Sequence, residues 1–214
     1  MNQKRGSLKL SVEEEWKGIL EAHPPKPVGD HREYAVAIIL WEREDGYQIL
    51  FEQRSDTVSQ PKDISFPGGR RDGEESLLEC AYRETFEELG IPREDLDYLG
   101  PSDFAVESIG AVYPFVFYYR KKDLSGLSIN GEVAEVLTMD LSYFLENAPT
   151  SYESRSDIKF SEGFPYERLP MGREYPFYTV NKTVYMYEDL EPVLWGLTAK
   201  LLLGFINKIR DGKE

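Results

Sequence analysis

Three glutamates, Glu84, Glu87 and Glu88, fall at i, i+3 and i+4 of one helical stretch, and this constrains the chain more than any other feature. The helix is defined locally. Ser76-Leu-Leu-Glu79 reads as a capping box, Gly90 as a left-handed terminator after Leu89, and Pro92 follows. The three carboxylates then share one face, while Leu77, Leu78, Ala81, Thr85 and Leu89 supply the buried side. Like charges this close repel unless a cation compensates. Arg83, four residues before Glu87, can pair with it. One arginine does not neutralise three carboxylates together with Glu75 and Glu79. A hard divalent cation bound by oxygen ligands would. An acidic run on a helix is more often a solvated face, so acidity alone does not choose between the two.

The flanking chain alternates short strands and turns. Tyr34 to Trp41 is a dense apolar run, too short for most helices, and predicts a buried strand. Asp45-Gly46 predicts a hairpin turn with Tyr47 to Glu52 returning. A polar loop runs from Arg54 to Phe66 and meets Pro67-Gly68-Gly69. Strands are expected over Tyr98–Val106, Ala111–Tyr119 and Glu132–Met139, then a short helix at Ser142–Glu146. Residues 150–180 show little periodicity and predict an irregular excursion. Thr183–Tyr187 predicts a last strand and Glu191–Arg210 a C-terminal helix. Ahead of all this, Ser11-Val-Glu-Glu14 reads as a capping box for a short helix that ends before Pro24, Pro25 and Pro27. The expected organisation is an N-terminal helix and Pro-rich arm over 1–30 and one main domain over 31–210.

Charge narrows the partners. Lys+Arg number 25 and Asp+Glu 39, a net charge of −14, which repels nucleic-acid polymers and anionic membranes. A phosphate-bearing substrate would need cations to approach such a surface. Cys80 is the single cysteine, so no internal disulfide forms, which fits a reducing, cytoplasmic setting. No signal-peptide core opens the chain, and Val193–Ile206, interrupted by Lys200, is too short to span a bilayer. With only His23 and His31, a site built on several histidines is excluded by count.

The acidic helix sits within a longer pattern. Gly69, five residues, Glu75, seven residues, and then Arg83-Glu84-Thr85-Phe86-Glu87-Glu88-Leu89-Gly90-Ile91 resembles the complete signature of the Nudix hydrolases. Thr85 stands where a larger aliphatic residue is usual. The resemblance implies an α+β fold, an α/β/α sandwich around a mixed β-sheet, with the signature forming a loop, a helix and a loop. It implies that Glu84, Glu87 and Glu88, with the Gly69 carbonyl, hold Mg2+ or Mn2+. Arg83 would orient the carboxylates, Glu75 would brace the loop, and Gly90 would end the helix. Water would attack one phosphorus while the metal neutralises charge growing on the diphosphate. The base would be Glu84 or an acid from a later loop, for which Glu132 and Glu135 are the candidates.

Three further segments resemble the coenzyme A diphosphatase subgroup. They are Leu50-Phe-Glu-Gln-Arg54-Ser55 leading to Phe66-Pro67-Gly68-Gly69, Val112-Tyr-Pro114-Phe-Val116, and Trp195-Gly-Leu-Thr-Ala199. That likeness implies cleavage of coenzyme A or an acyl-coenzyme A into 3′,5′-ADP and a phosphopantetheine. The Arg54–Phe66 loop departs from the subgroup: it is one residue short, Ser59 stands near an expected basic position, and Lys62 replaces a glycine. Arg54, Lys62, Arg70 and Arg71 are the candidates for holding substrate phosphates. Tyr113, Phe115, Phe117, Tyr118 and Tyr119 alternate as core residues do, with adenine stacking as the alternative, and Trp195 reads as core. Cys80 reads as packing. Two other functions stay open: a Nudix diphosphatase for ADP-ribose, NADH or a sugar nucleotide, and a non-catalytic Nudix-fold sensor. A homodimer, through the N-terminal helix or residues 150–180, also stays open.

Overall fold

The computed structural model describes residues 16–23, 28–29 and 31–212. The chain divides after His31 into two units. In the first, residues 16–22 are helical (α1), with Lys17 and Glu21 paired one turn apart at 3.8 Å. The capping box expected at Ser11–Glu14 and the prolines at 24, 25 and 27 lie outside the described residues.

The second unit opens with β1 (Glu33–Arg43), the apolar run with short extensions. Gly46, at φ 140, turns it into β2 (Gly46–Arg54), with Arg43 opposite Gly46. There follow β3 (Ile64–Ser65), β4 (Gly68–Arg70), α2 (Leu77–Leu89), β5 (Leu96–Pro101), β6 (Ala105–Glu107), β7 (Gly110–Tyr119), β8 (Val133–Asp140) and α3 (Leu141–Glu146). The eight strands form one mixed sheet in the order β3-β2-β1-β7-β5, with β8 also paired to β2, β4 to β1 and β6 to β7. β1 and β7 run parallel, from Glu33 opposite Ala111 to Trp41 opposite Tyr119.

Alternation along the strands gives the sheet two apolar faces. Ala35, Ala37, Ile39, Trp41, Leu50 and Phe117 pack against Cys80, Ala81 and Leu89 of α2. Ile38, Ile49, Phe51 and Val116 pack on the other side against Phe144 of α3 and Leu202, Phe205 and Ile206 of α4 (Gly196–Asp211). Each such burial stabilises by about 1.5–3 kcal/mol. The result is the expected α/β/α sandwich.

α2 keeps both of its expected caps. Ser76 Oγ accepts from the Glu79 amide at 3.2 Å, and Glu79 Oε2 accepts from the Ser76 amide at 2.9 Å. Gly90 ends the helix at φ 69, its amide donating to Phe86 O.

Elsewhere the elements differ from expectation. The strand expected over Tyr98–Val106 is two, β5 and β6, broken after Pro101, where the Ser102 amide donates to Pro114 O. Residues 150–180 begin and end in strands. β9 (Thr150–Asp157) and β10 (Thr179–Tyr187) pair from Met186 opposite Thr150 to Thr179 opposite Asp157. With β11 (Leu194–Trp195) they make a second, three-stranded sheet. Between β9 and β10, Phe160 stacks on Phe164 at 3.9 Å and leans on Phe177 at 4.7 Å. α4 starts at Gly196 rather than Glu191, because Leu194–Trp195 pair with β10 and Gly196 takes φ 66. Trp195 is 42% exposed, not core. No helix among the described residues is long and apolar enough to cross a membrane.

Candidate active site

Two glycines let the acidic helix come down on the sheet. A Cβ on Gly68, which sits at φ 155, would lie 2.3 Å from Ala35 O of β1. A Cβ on Gly69 would lie 2.4 Å from the Glu84 carboxylate. β4 is thus pressed against β1 on one side and against α2 on the other.

Arg83 ties the loop to the helix. Its Nη2 and Nε donate to Glu75 Oε1 and Oε2 at 2.8 and 3.1 Å, a two-pronged pairing. Nη1 donates to Glu84 Oε1 at 2.8 Å and to Glu87 Oε2 at 3.3 Å, and Nη2 also donates to Arg70 O at 3.1 Å. Glu75 Oε1 accepts the Asp72 amide at 2.8 Å as well. The bonds from Arg83 hold the Glu75 carboxyl down at about 2. Glu75 therefore braces the loop between β4 and α2.

Glu88 is only 5% exposed, and its Oε2 accepts from the Gly68 amide at 2.7 Å. Burial, and then the charge of Glu52, push its carboxyl well above the usual range. Burial also raises Glu84. The donor set is three carboxylates on α2 and the Gly69 carbonyl of β4, which accepts from Cys80 Sγ at 3.6 Å; all are hard oxygens, which suits a hard divalent cation. As the side chains stand, no group of three His, Cys, Asp or Glu among the described residues closes into a metal cage. Glu84 and Glu87 are engaged by Arg83 and Glu88 by the Gly68 amide. Holding a cation requires them to turn.

Similarity to known proteins agrees with this geometry. The NUDIX domain family matches residues 31–154. The chain belongs to the Nudix family. The uncharacterized Nudix hydrolase NudL of Enterobacter sp. (strain 638) is 32% identical over 133 residues, 58% of this chain and 65% of that protein. NudL of Photorhabdus laumondii is 26% identical over 84% of this chain and 86% of that protein. The chain spans only about half to two thirds of several other relatives, such as 52% of Nudix hydrolase 22, chloroplastic, of Arabidopsis thaliana, which is 30% identical. Among solved structures, a MutT/nudix family protein from Enterococcus faecalis superposes with a TM-score of 0.50 at 15% identity. The superposition takes in 96% of this chain and 74% of that one.

In this Nudix domain the remaining candidates separate. Glu132, just before β8, is exposed but near enough for its charge to act on both Glu52 and Glu88. Glu135 pairs with Gln53 rather than with Glu52 on β2, and its side chain is exposed. Arg54 donates from Nε to Ser59 O at 2.9 Å, and its charge acts on Glu52. Lys62 is exposed at φ 66, the left-handed region that glycine favours. Arg70 is exposed, whereas Arg71 is held by Glu33 at 2.9 Å and its amide donates to Glu33 O. The C-terminal segment fastens the Arg54–Phe66 loop: Thr198 Oγ1 donates to Ile64 O at 2.9 Å and Trp195 Nε1 to Asp63 Oδ1 at 3.4 Å. Phe117 and Tyr119 are core, while Tyr113 stacks on the exposed Phe104 at 4.9 Å. Cys80 is buried with its thiol pushed up to about 12, as a packing residue would be.

Glu52 is the residue that sequence reasoning passed over. It lies on β2, 2% exposed, and burial raises its carboxyl. The available signal was a single acid set directly after the apolar run Ile49-Leu50-Phe51.

Proposed function

We propose that the chain hydrolyses a diphosphate bond in a nucleoside-diphosphate-linked compound, and that its substrate is coenzyme A or an acyl-coenzyme A. The supporting observation is Arg83 gathering Glu75, Glu84 and Glu87 while Glu88 is held under Gly68, which sets the acidic face of α2 against β4. Glu84, Glu87, Glu88 and the Gly69 carbonyl would hold Mg2+ or Mn2+. A bound cation supplies charge neutralisation for the diphosphate and lowers the cost of deprotonating the attacking water.

The chain's own groups do the rest. Arg83 holds Glu84 and Glu87 until a cation draws them round, and Glu75 keeps Arg83 in place. Glu132 or Glu84 accepts the proton of the water whose oxygen adds to phosphorus as the bridging P–O bond breaks. Arg54, Arg70 and Lys62 offer positive charge to the phosphates; Arg71 does so only by leaving Glu33. The coenzyme A reading is supported by Lys62, which stands where the subgroup has glycine and adopts the left-handed backbone that glycine favours, and by the Trp195–Ala199 segment that fastens the same loop.

The test is mass spectrometry of products after incubation with coenzyme A, ADP-ribose and NADH, with and without magnesium. 3′,5′-ADP and phosphopantetheine are expected only with metal. AMP from the other two compounds, with coenzyme A intact, would replace the substrate by a second reading, which the shortened loop favours. No product from any compound would leave a non-catalytic sensor.

A further inference from the structure

Glu52 has no role in the signature, yet its setting is hard to explain without one. Ile49 and Phe51 face α3 and α4, and Leu50 faces α2, so the alternation turns Glu52 toward α2 as well. Ser65 Oγ donates to Glu52 Oε1 at 2.9 Å across the β2–β3 pair. The other oxygen, Oε2, is enclosed and meets no hydrogen-bond donor. The charges of Arg54, Glu84 and Glu132 act on Glu52, and those of Glu52, Glu84 and Glu132 on Glu88, while Arg54 is itself bonded to Ser59 O. A buried carboxylate with one bare oxygen, among other carboxylates, is unfavourable unless a proton or a metal cation meets it. The unpartnered Oε2 also shows that Glu52 and Glu88 are not a hydrogen-bonded pair.

We propose that Glu52 is a further carboxylate of the cation centre, offering Oε2 to the divalent ion held by Glu84 and Glu88. Ser65 fixes the orientation by occupying Oε1. The proposal rests on the cation reading given above. It goes beyond that reading by placing a ligand outside the signature, on β2.

The experiment is calorimetric titration of Mn2+ and Mg2+ into metal-free protein, with melting curves recorded before and after metal. The variants are Glu52→Gln, Glu52→Thr and Glu88→Gln. Glu52→Gln should weaken cation affinity by about tenfold or more, raise the metal-free Tm by relieving repulsion, and shrink the Tm gain on adding metal. Unchanged affinity with a lowered metal-free Tm would mark a structural residue and overturn the proposal. If Glu52→Gln does not fold, Glu52→Thr is read in the same way, and Ser65→Ala, which keeps the carboxylate but frees its orientation, should weaken cation affinity without raising the metal-free Tm. The two readings fail differently. Loss of binding in Glu88→Gln alone sinks only the role of Glu52. Equal binding in Glu88→Gln and the native chain sinks the cation centre itself.

Discussion

Gly69 and Glu84 are so close that a single methyl group at position 69 would occupy the space of the carboxylate, 2.4 Å away. The position needs smallness rather than backbone freedom, since Gly69 is not among the glycines with positive φ. Gly69→Ala should therefore fold normally while displacing Glu84, and lower kcat about 10- to 100-fold. Gly68→Ala should behave differently, because it strikes the β1 backbone at φ 155 and should lower Tm first. Circular dichroism melts beside kcat for the two variants separate the effects. A Gly69→Ala enzyme with native kcat would show that Glu84 need not stay where it is.

Glu75 carries the acid sensitivity of the loop. Its carboxyl is held down at about 2 by Arg83. A lowered carboxylate contributes stability that is present above the ordinary range near 4.5 and is lost as the pH falls toward 2. Glu75→Gln should lower the Tm at neutral pH, and the gap to the native chain should narrow steadily on acidification. A gap that stays constant with pH would mean that the Arg83 pairing contributes through packing alone.

Glu132 and Glu135 are close in sequence, but Glu132 precedes β8 while Glu135 lies within it, exposed and opposite Gln53. Glu132 is near enough for its charge to act on both Glu52 and Glu88. If it is the base, Glu132→Gln should reduce kcat by about 10²- to 10⁴-fold, with the pH–rate profile losing its acidic limb. Glu135→Gln should stay within about twofold, as exposed substitutions usually do. Equal losses in both variants would move the base to Glu84.

Lys62 holds a left-handed backbone that costs a side-chain-bearing residue about 1 kcal/mol or more. Lys62→Gly should raise stability by about 0.5–1 kcal/mol in urea titrations, part of the relief being offset by glycine entropy. It also removes an exposed ammonium, so KM should rise while kcat holds. An unchanged KM would leave Lys62 as a surface lysine.

The legible parts of this fold are those whose causes lie within a few residues. β1 declares itself through eight apolar residues, the β1–β2 hairpin through Asp45-Gly46, and α2 through Ser76, Glu79 and Gly90. The acidic face of α2 was legible because its members share one turn. Glu52 was not, since its burial arises from α2, β3 and β8 meeting over it, elements scattered from Ile64 to Asp140. β9 was hidden for a similar reason: Thr150–Asp157 is exposed throughout and polar, and becomes a strand only by pairing with β10. The break at Pro101 and the late start of α4 at Gly196 likewise depend on the hydrogen bonds of neighbouring strands.

The parallel pairing of β1 with β7 has a kinetic consequence. Every residue from Gly69 to Ile91 lies in the connection between those two strands. The acidic face gains its whole sheet only after a long stretch of chain has closed on itself, and such closure is slow compared with forming α2 alone. During synthesis α2 can coil early and meet β1, β2 and β4, which precede it, but its packing on Phe117 waits until β7 has emerged and slotted in beside β1. The complete packing beneath the acidic face is therefore a late product of folding, since β7 joins it last.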